Sequence, residues 1–350
     1  MNHPDFSGIL ARLLKRAANI FDSPDPLMVM PYRGYATDEA FFLQGRVLEN
    51  EGIFDGKSDH ELRNLLDSWK RIETDEIAGA RVAIRIGGQN FQTVTDKEGY
   101  FTLEAAWNGP PSPIQNRWLP ASVQLIAVPE GPLPEALEYP AEVFLPSKNA
   151  NCGIITDVDD TVLQTHVTSR LKLKTLYVTL FKDSHQRLPL EGIPELLQAL
   201  EKGDDQKREN PVFYVSNSPW NLYDLLQEFM AINRFPKGPI LLRDYGLHML
   251  RKKKNDPGHK IKTIRKLLDM YPALPFILMG DSTQHDTDYY LQIAREFDSR
   301  IAAIYIRKAK DTRNARRIEQ LIEQNSNINA VIVNSSQEIY DHALAAGYII

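Results

Sequence analysis

The run Gly153-Ile154-Ile155-Thr156-Asp157-Val158-Asp159-Asp160-Thr161 carries an apolar strand straight into a crowd of carboxylates. Like charges a few ångströms apart repel and desolvate one another, so this crowding costs free energy unless a cation neutralises it. Mg²⁺ takes one or two carboxylates together with phosphate oxygens. A second acidic strand end comes much later, Phe276-Ile277-Leu278-Met279-Gly280-Asp281-Ser282, with Asp286 and Asp288 just beyond. Two such ends predict one magnesium site. A carboxylate placed as Asp157 is can attack a phosphoryl group and split one hard step into two. Asp159, two residues on, can reach the far side of the same phosphorus, protonate the leaving oxygen and then activate water. Such assistance is worth roughly 10²–10⁴ in rate. The plain alternative for the acidic run is a loop that caps a helix.

Val215-Ser216-Asn217-Ser218-Pro219-Trp220 ends another apolar strand. Pro219 suits the first position of a helix and Ser218 reads as its N-cap. Ser216 is then left at the strand tip, where its hydroxyl and nearby backbone N–H groups can hold a phosphate oxygen. Trp220 and Tyr223 read equally well as pocket lining or as core. Lys260 opens a predicted helix, where an ammonium opposes the macrodipole, so an anion is expected beside it. Taken alone it reads as a surface lysine. Asp281 is the natural metal ligand, Asp286 orients either Lys260 or the metal's waters, and Asp288 belongs on an exposed helix start.

These residues need elements to hold them. From 149 to 350 the chain alternates apolar strands (Gly153–Thr156, Val212–Val215, Ile240–Leu242, Phe276–Met279, Ile301–Ile306, Ala330–Val333) with helices near 219–231, 258–270, 285–297, 311–324 and 336–346. Near-continuous apolar strands separated by helices predict a parallel α/β sheet covered on both faces, with ligands outside the carboxyl ends of its strands. Residues 27–148 read instead as short strands of a β-sandwich-like domain. Val82, Ile84 and Ile86 alternate with polar residues, as do Val123, Leu125 and Ala127. Asp96-Lys97-Glu98-Gly99 between Phe91–Thr95 and Tyr100–Leu103 predicts a hairpin, and Pro140 and Pro146 bound a further strand. A helix interrupts this region, with Ser58 and Glu61 as capping box and Leu62, Leu65, Leu66, Trp69 and Ile72 as apolar face. Residues 1–26 contain an amphipathic helix over 5–21, read either as docked on the body or as lying on an anionic membrane. The boundary between the two larger domains falls near Leu145–Asn149.

The ordered set Asp157-Val158-Asp159-Asp160-Thr161, Ser216, Lys260 and Gly280-Asp281 with Asp286 resembles the motifs of the haloacid-dehalogenase-like superfamily. Within it, Thr179–Gly192 and Tyr214–Tyr223 resemble the actin-patch-associated phosphatidate phosphatase family, and Pro31-Tyr32-Arg33-Gly34-Tyr35 resembles the N-terminal part of its bacterial members. Asn217 departs from that pattern, which has a small residue there. The resemblance implies a Rossmann-like parallel sheet of the haloacid-dehalogenase type with a small helical cap. It also implies Mg²⁺-dependent hydrolysis of phosphatidate to diacylglycerol. The expected roles follow. Asp157 is the nucleophile and Asp159 the acid–base; Ser216 and Lys260 stabilise phosphoryl oxygens, and Thr161 braces the loop. The metal is held among Asp157, Asp159 (through its backbone carbonyl), Asp281 and Asp286.

The stretch from Thr165 to Leu190 is expected to form the cap, with His166, Arg170, Lys172, Lys174, His185 and Arg187 facing a phosphate headgroup or solvent. Arg251-Lys252-Lys253-Lys254 reads as a solvated loop or as a contact to an anionic membrane. The formal net charge of −5 does not suggest a nucleic-acid partner. Cys152, the single cysteine, excludes an internal disulfide framework, and it reads as a buried inert thiol. With no long apolar span and no signal peptide, the expected setting is cytoplasmic, with the peripheral membrane contact left open. Two alternatives compete with a lipid phosphatase: a phosphatase of a soluble phosphoester, and a non-catalytic binding protein. The intact charged set argues against the second.

Overall fold

The computed structural model describes residues 27–49, 77–110, 117–129, 133, 137–158, 189–243, 258–282, 286–308 and 312–350. They form two sheets. The first contains β1 (Leu27–Pro31), β2 (Gly34–Ala36), β3 (Ala40–Glu49), β4 (Arg81–Ile86), β5 (Gln89–Val94), β6 (Tyr100–Ala106), β7 (Trp118–Ala127) and β8 (Leu137–Phe144). Its pairing order is β1-β3-β2-β8-β7-β4-β5, with β6 also on β3. All pairs are antiparallel except β2 with β8. Val82, Ile84 and Ile86 alternate inward as expected and meet Phe41, Phe101, Val123 and Val143 in one apolar core. Phe41 and Phe91 have ring centroids 4.9 Å apart, although their strands lie far apart in the pairing order. The sheet therefore wraps around its own core.

The hairpin expected over 91–103 is a correction. The turn is there: Asp96 Oδ1 accepts from the backbone N–H groups of Glu98 and Tyr100. Gly99 supplies the left-handed backbone, at φ 72°. The strands it joins form no backbone ladder with each other, β5 pairing β4 and β6 pairing β3, although Thr93 Oγ1 of β5 donates to Thr102 O of β6 at 3.1 Å. The strand expected between Pro140 and Pro146 begins earlier. Pro140 lies inside β8 opposite Ser122, and β2 pairs only the last two residues of β8, so the missing N–H breaks no ladder on that side.

The second sheet contains β9 (Gly153–Asp157), β10 (Val212–Pro219), β11 (Ile240–Arg243), β12 (Phe276–Asp281), β13 (Ile301–Arg307) and β14 (Ala330–Val333). Its order is β11-β10-β9-β12-β13-β14 and every neighbouring pair is parallel. The helices are α1 (Ile193–Lys202), α2 (Tyr223–Ile232), α3 (Gly258–Met270), α4 (Asp286–Glu296), α5 (Thr312–Glu323) and α6 (Ser336–Ala345). Alternate strand residues face opposite ways. Ile154, Tyr214 and Ile277 pack against Leu197 of α1, Leu226 of α2 and Ile339 of α6. Ile155, Phe213 and Leu278 pack against Ile264 of α3, Ile293 of α4 and Ile318 of α5. The sheet is thus doubly wound. Its order reverses at β9, which places the crevice for a ligand at the carboxyl end of that strand.

Helix α1 goes beyond the sequence reading, although Pro194 in its first turn and Leu196, Leu197 and Leu200 on one buried face are its local signature. The expected helices at 5–21 and 58–72, the cap from 165 to 188 and Arg251–Lys254 lie outside the described residues. Among the described residues no helix is long and apolar enough to cross a membrane.

The two sheets touch through the segment from Pro31 to Ala36. Tyr32 stacks on Trp220 with centroids 4.2 Å apart and planes 11° from parallel. The Arg33 N–H donates to Tyr223 Oη at 2.7 Å. Tyr35 meets Phe213 edge-on, and Tyr271 Oη donates to Ala36 O at 3.1 Å. Lys266 pairs with Glu104 and Lys237 with Glu142 at the rim.

Candidate active site

Asp157 is the last residue of the central strand β9, Asp281 the last of β12, and Ser216 follows the residue of β10 that pairs with Asp157. All three are buried, at 0%, 2% and 0% exposure. Three neighbouring strands therefore deliver two carboxylates and a hydroxyl to one sheet edge.

Lys260 stands in the first turn of α3, with the apolar face Ile261, Ile264, Leu267 and Leu268 tying that helix to the sheet. Its Nζ lies 2.9 Å from Asp157 Oδ1 and 2.7 Å from Asp286 Oδ1, at 1% exposure. Burial alone would push this ammonium down; the Asp157 and Asp286 carboxylates outweigh it and hold Lys260 well above the usual lysine range. The anion expected beside a lysine at a helix start is thus a pair of side chains. Asp286 opens α4, where the positive end of the macrodipole favours a carboxylate. Of the two roles left open for it, the structure displays the contact to Lys260. Asp286 Oδ2 is buried with no hydrogen-bond partner among the described residues.

Two neighbours shape this cluster. A Cβ on Gly280 would lie 2.9 Å from Asp286 Oδ2 and 2.8 Å from the Tyr290 ring, so only glycine leaves room for Asp286 to reach Lys260. Tyr290, one helical turn after Asp286, donates its hydroxyl to Met279 O at 3.1 Å. Burial and then the carboxylates of Asp286, Asp157 and Asp281 push its phenol well above the ordinary value, so it stays a neutral donor. Sequence reasoning passed over Tyr290, although its spacing of four residues from Asp286 was a usable sign.

Ser216 Oγ accepts a hydrogen bond from Ser218 N at 2.8 Å. This corrects the expected N-cap. Pro219 stays extended (φ −72°, ψ 151°) and closes β10; a single 3₁₀ turn, Trp220–Leu222, follows, and α2 starts at Tyr223 with no side-chain cap. Ser218 is buried and its backbone N–H braces the end of β10, and Trp220 and Tyr223 are core against Tyr32 rather than pocket lining. Asp288, expected on an exposed start, is half-buried and accepts from Arg317 Nη2 at 2.6 Å. Cys152 is buried and its thiol is pushed up to about 12 by burial, so it is no nucleophile near neutral pH. His259 is pushed by burial down to about 4 and is neutral at pH 7. Arg307, also passed over in the sequence, ends β13 opposite Asp281, with its Nη1 buried and lacking a hydrogen-bond partner among the described residues.

Asp159 and Thr161 lie outside the described residues. Among the described residues no three His, Cys, Asp or Glu side chains converge into a metal-binding group. Of the expected metal set, Asp157 and Asp286 meet through Lys260, and Asp281 ends the adjacent strand. Two carboxylates sharing one ammonium form an anionic cluster of hard oxygen donors. That is the donor type Mg²⁺ takes, and the buried Asp286 Oδ2 suits a proton donor such as a metal-bound water.

Among known proteins, a phosphatidate phosphatase of Saccharomyces cerevisiae, APP1, is 35% identical over 156 residues, covering 44% of this chain and 25% of that protein. An uncharacterized protein of Schizosaccharomyces pombe is 26% identical over 218 residues, covering 62% of this chain and 34% of that one. The chain thus spans about a quarter to a third of the length of these relatives. A carbohydrate acetylesterase structure from Xanthomonas citri superposes with a TM-score of 0.23 at 9% identity, over 84% of this chain and 72% of that one; so low a score carries no argument. Residues 152–308, from just before β9 to just after β13, match the family described as the catalytic domain of phosphatidate phosphatase APP1.

Proposed function

We propose that this protein is a Mg²⁺-dependent phosphatase of the haloacid-dehalogenase type, acting on phosphatidate or a related lipid phosphate. The observation that carries this reading is Lys260, fully buried and bridging Asp157 and Asp286 at the carboxyl end of the central strand. A buried charge cluster seldom adds net stability over apolar packing, so its place at the ligand crevice points to chemistry. The match over residues 152–308 and the yeast relative's phosphatidate phosphatase name support the substrate class.

Asp157, the Asp159 carbonyl and Asp281 would hold the metal, with Asp286 bonding its waters; bound there, Mg²⁺ supplies Lewis-acid polarisation of phosphoryl oxygens. The chain's own groups do the rest. Lys260 keeps Asp157 ionised and meets the phosphoryl oxygens as charge builds on them. Asp157 attacks phosphorus in line and the bond to the leaving oxygen breaks. Asp159 gives that alkoxide its proton. Water then attacks phosphorus, Asp159 takes the water's proton, and the bond to Asp157 breaks to release phosphate. Ser216 holds a second phosphoryl oxygen.

The test is an assay of the full chain with Mg²⁺ on dispersed phosphatidate and on p-nitrophenyl phosphate, beside Asp157→Asn. Phosphate release from phosphatidate, abolished by the substitution and by chelation, is the expected result. Release from the soluble ester alone would keep the chemistry and remove the lipid. Release from neither would overturn the reading.

A further inference from the structure

Ser216–Pro219 is the irregular end of β10, short and internally stiff: Ser216 Oγ takes the Ser218 N–H, Pro219 pairs with Arg243 of β11 and fixes its own φ, and Trp220 follows at once. The helix after it offers little anchorage from its own end, because α2 begins at Tyr223 without a side-chain cap. Beyond the pairing of Pro219 with Arg243, further anchors come from the other sheet. Tyr32, in the two-residue break between β1 and β2, which run in line along β3, lies flat on Trp220 at 4.2 Å and tilted on Tyr223 at 4.5 Å. The next residue, Arg33, gives its backbone N–H to Tyr223 Oη at 2.7 Å. Tyr32 is 3% exposed and Trp220 4%, and both belong to the core under α1 and α2. Arg33 is held in turn, 3.8 Å from Glu142 and over the Trp118 ring.

We propose that Tyr32 is a positioning residue for phosphate binding: stacked on Trp220, it helps fix the Ser216–Pro219 end of β10 from the antiparallel sheet. That sheet is then part of the catalytic unit, although it lies outside the segment matching the catalytic-domain family. The inference rests on the phosphatase reading. Its physical basis is the steep dependence of phosphoryl transfer on placement, where an error of about 1 Å costs on the order of 10²-fold in rate. A strand end released from its ring stack no longer holds the Ser216 hydroxyl at the phosphoryl oxygen. The effect of Tyr32 therefore passes through Ser216.

The experiment uses the full chain with Mg²⁺, p-nitrophenyl phosphate as substrate and inorganic phosphate as competitive inhibitor. It compares Tyr32→Leu, Tyr32→Phe and Tyr223→Phe, each alone and combined with Ser216→Ala. Tyr32→Leu is expected to lower kcat/KM and raise the phosphate inhibition constant, each about tenfold. Tyr32→Phe, which keeps the ring, should stay within about twofold of wild type. In the Ser216→Ala background, Tyr32→Leu should add less than about twofold, the non-additivity of two residues acting as one unit. A tenfold loss that persists undiminished in that background overturns the proposal. So does a loss confined to the amount of active enzyme, with KM and the inhibition constant unchanged, which is what mere destabilisation gives.

If Tyr32→Leu does not fold, Tyr223→Phe deletes only the oxygen that accepts the Arg33 N–H. A severalfold rise in the phosphate inhibition constant, absent with Ser216→Ala, supports the proposal, and an unchanged constant overturns it. Calorimetric titration with phosphate separates the two failures. Wild type that binds phosphate while Tyr32→Leu binds equally well overturns the positioning role alone. Wild type that neither binds phosphate nor turns over the ester overturns the phosphatase reading and this role with it.

Discussion

The two sheets place their carboxylates in opposite ways. In the antiparallel sheet the core is apolar apart from Arg46, 6% exposed over the Tyr100 ring, and the carboxylates of Glu104 and Glu142 stay at the surface, 59% and 45% exposed, where they pair with lysines of the other half. In the parallel sheet Asp157, Lys260, Asp281 and Asp286 are all buried at 2% exposure or less, on one edge. Nothing in the folding of a doubly wound sheet requires this. A buried ion cluster is often no more stable than well-packed apolar side chains of similar volume. Its retention at the crevice of the sheet therefore marks that edge as the place where charge is used, and the wrapped sheet as the support that aims it.

The sharpest way to break this comparison is Lys260→Met. Removing the ammonium leaves Asp157 and Asp286 facing each other in a dry site, at a cost of about 3–5 kcal/mol in stability. Urea unfolding should read that loss, together with loss of turnover. Adding Asp286→Asn should recover much of the stability by removing one carboxylate, and none of the activity. Recovery of both would show that the cluster is structural and that the contrast between the sheets says nothing about function. Full stability in the single variant would show that the charges are solvated despite their burial.

How far the sequence foretells each half follows the same division. The strands of the parallel sheet are covered on both faces, so each is an unbroken apolar run such as Phe276–Met279, and its acidic end stands out against it. The helices carrying Lys260 and Asp286 are equally legible from their apolar periodicity. That Asp286 pairs with Lys260, 26 residues away, is a tertiary fact, and the residue types alone left two partners open. In the wrapped sheet the turn chemistry of Asp96 and Gly99 specifies a reversal but says nothing about partners, and those are chosen at long range when β6 joins β3. Ser218 and Pro219 satisfy the local rules of a helix start. Those rules lose to the Ser216 hydroxyl and to a ring stack on Tyr32, a residue far off in the sequence.

A smaller effect tests how tightly the buried cluster is packed. Gly280→Ala adds one methyl where Asp286 Oδ2 and the Tyr290 ring would lie within 3 Å of it. Tyr290 is fixed by its bond to Met279 O and is 1% exposed, so the strain falls on Asp286 and through it on Lys260. Overpacking of this kind costs about 1–3 kcal/mol. Thermal unfolding should show the loss, and kcat should fall by more than KM rises if Asp286 moves away from Lys260. An unchanged kcat beside a lowered melting temperature would separate the packing of this pocket from its chemistry.

The smallest effect belongs to the rim. Lys266 Nζ lies 2.6 Å from Glu104 Oε2 and 3.8 Å from the centre of the Phe42 ring, joining α3 to β6 and β3 across the two halves. With the glutamate 59% exposed, the pair is screened by water and salt, and such pairs contribute about 0–1 kcal/mol. Glu104→Gln is therefore expected to shift stability by less than about 1 kcal/mol, with kcat/KM unchanged and the shift vanishing at high salt. The lysine keeps its contact with the Phe42 ring, so α3 keeps its place. The comparison turns on this being small, because the same charge types, buried at Lys260, carry several times the energy. A loss from Glu104→Gln as large as that from Lys260→Met would mean that burial does not set the scale, and that the two sheets communicate through their surface charges rather than through the ring stack at Tyr32.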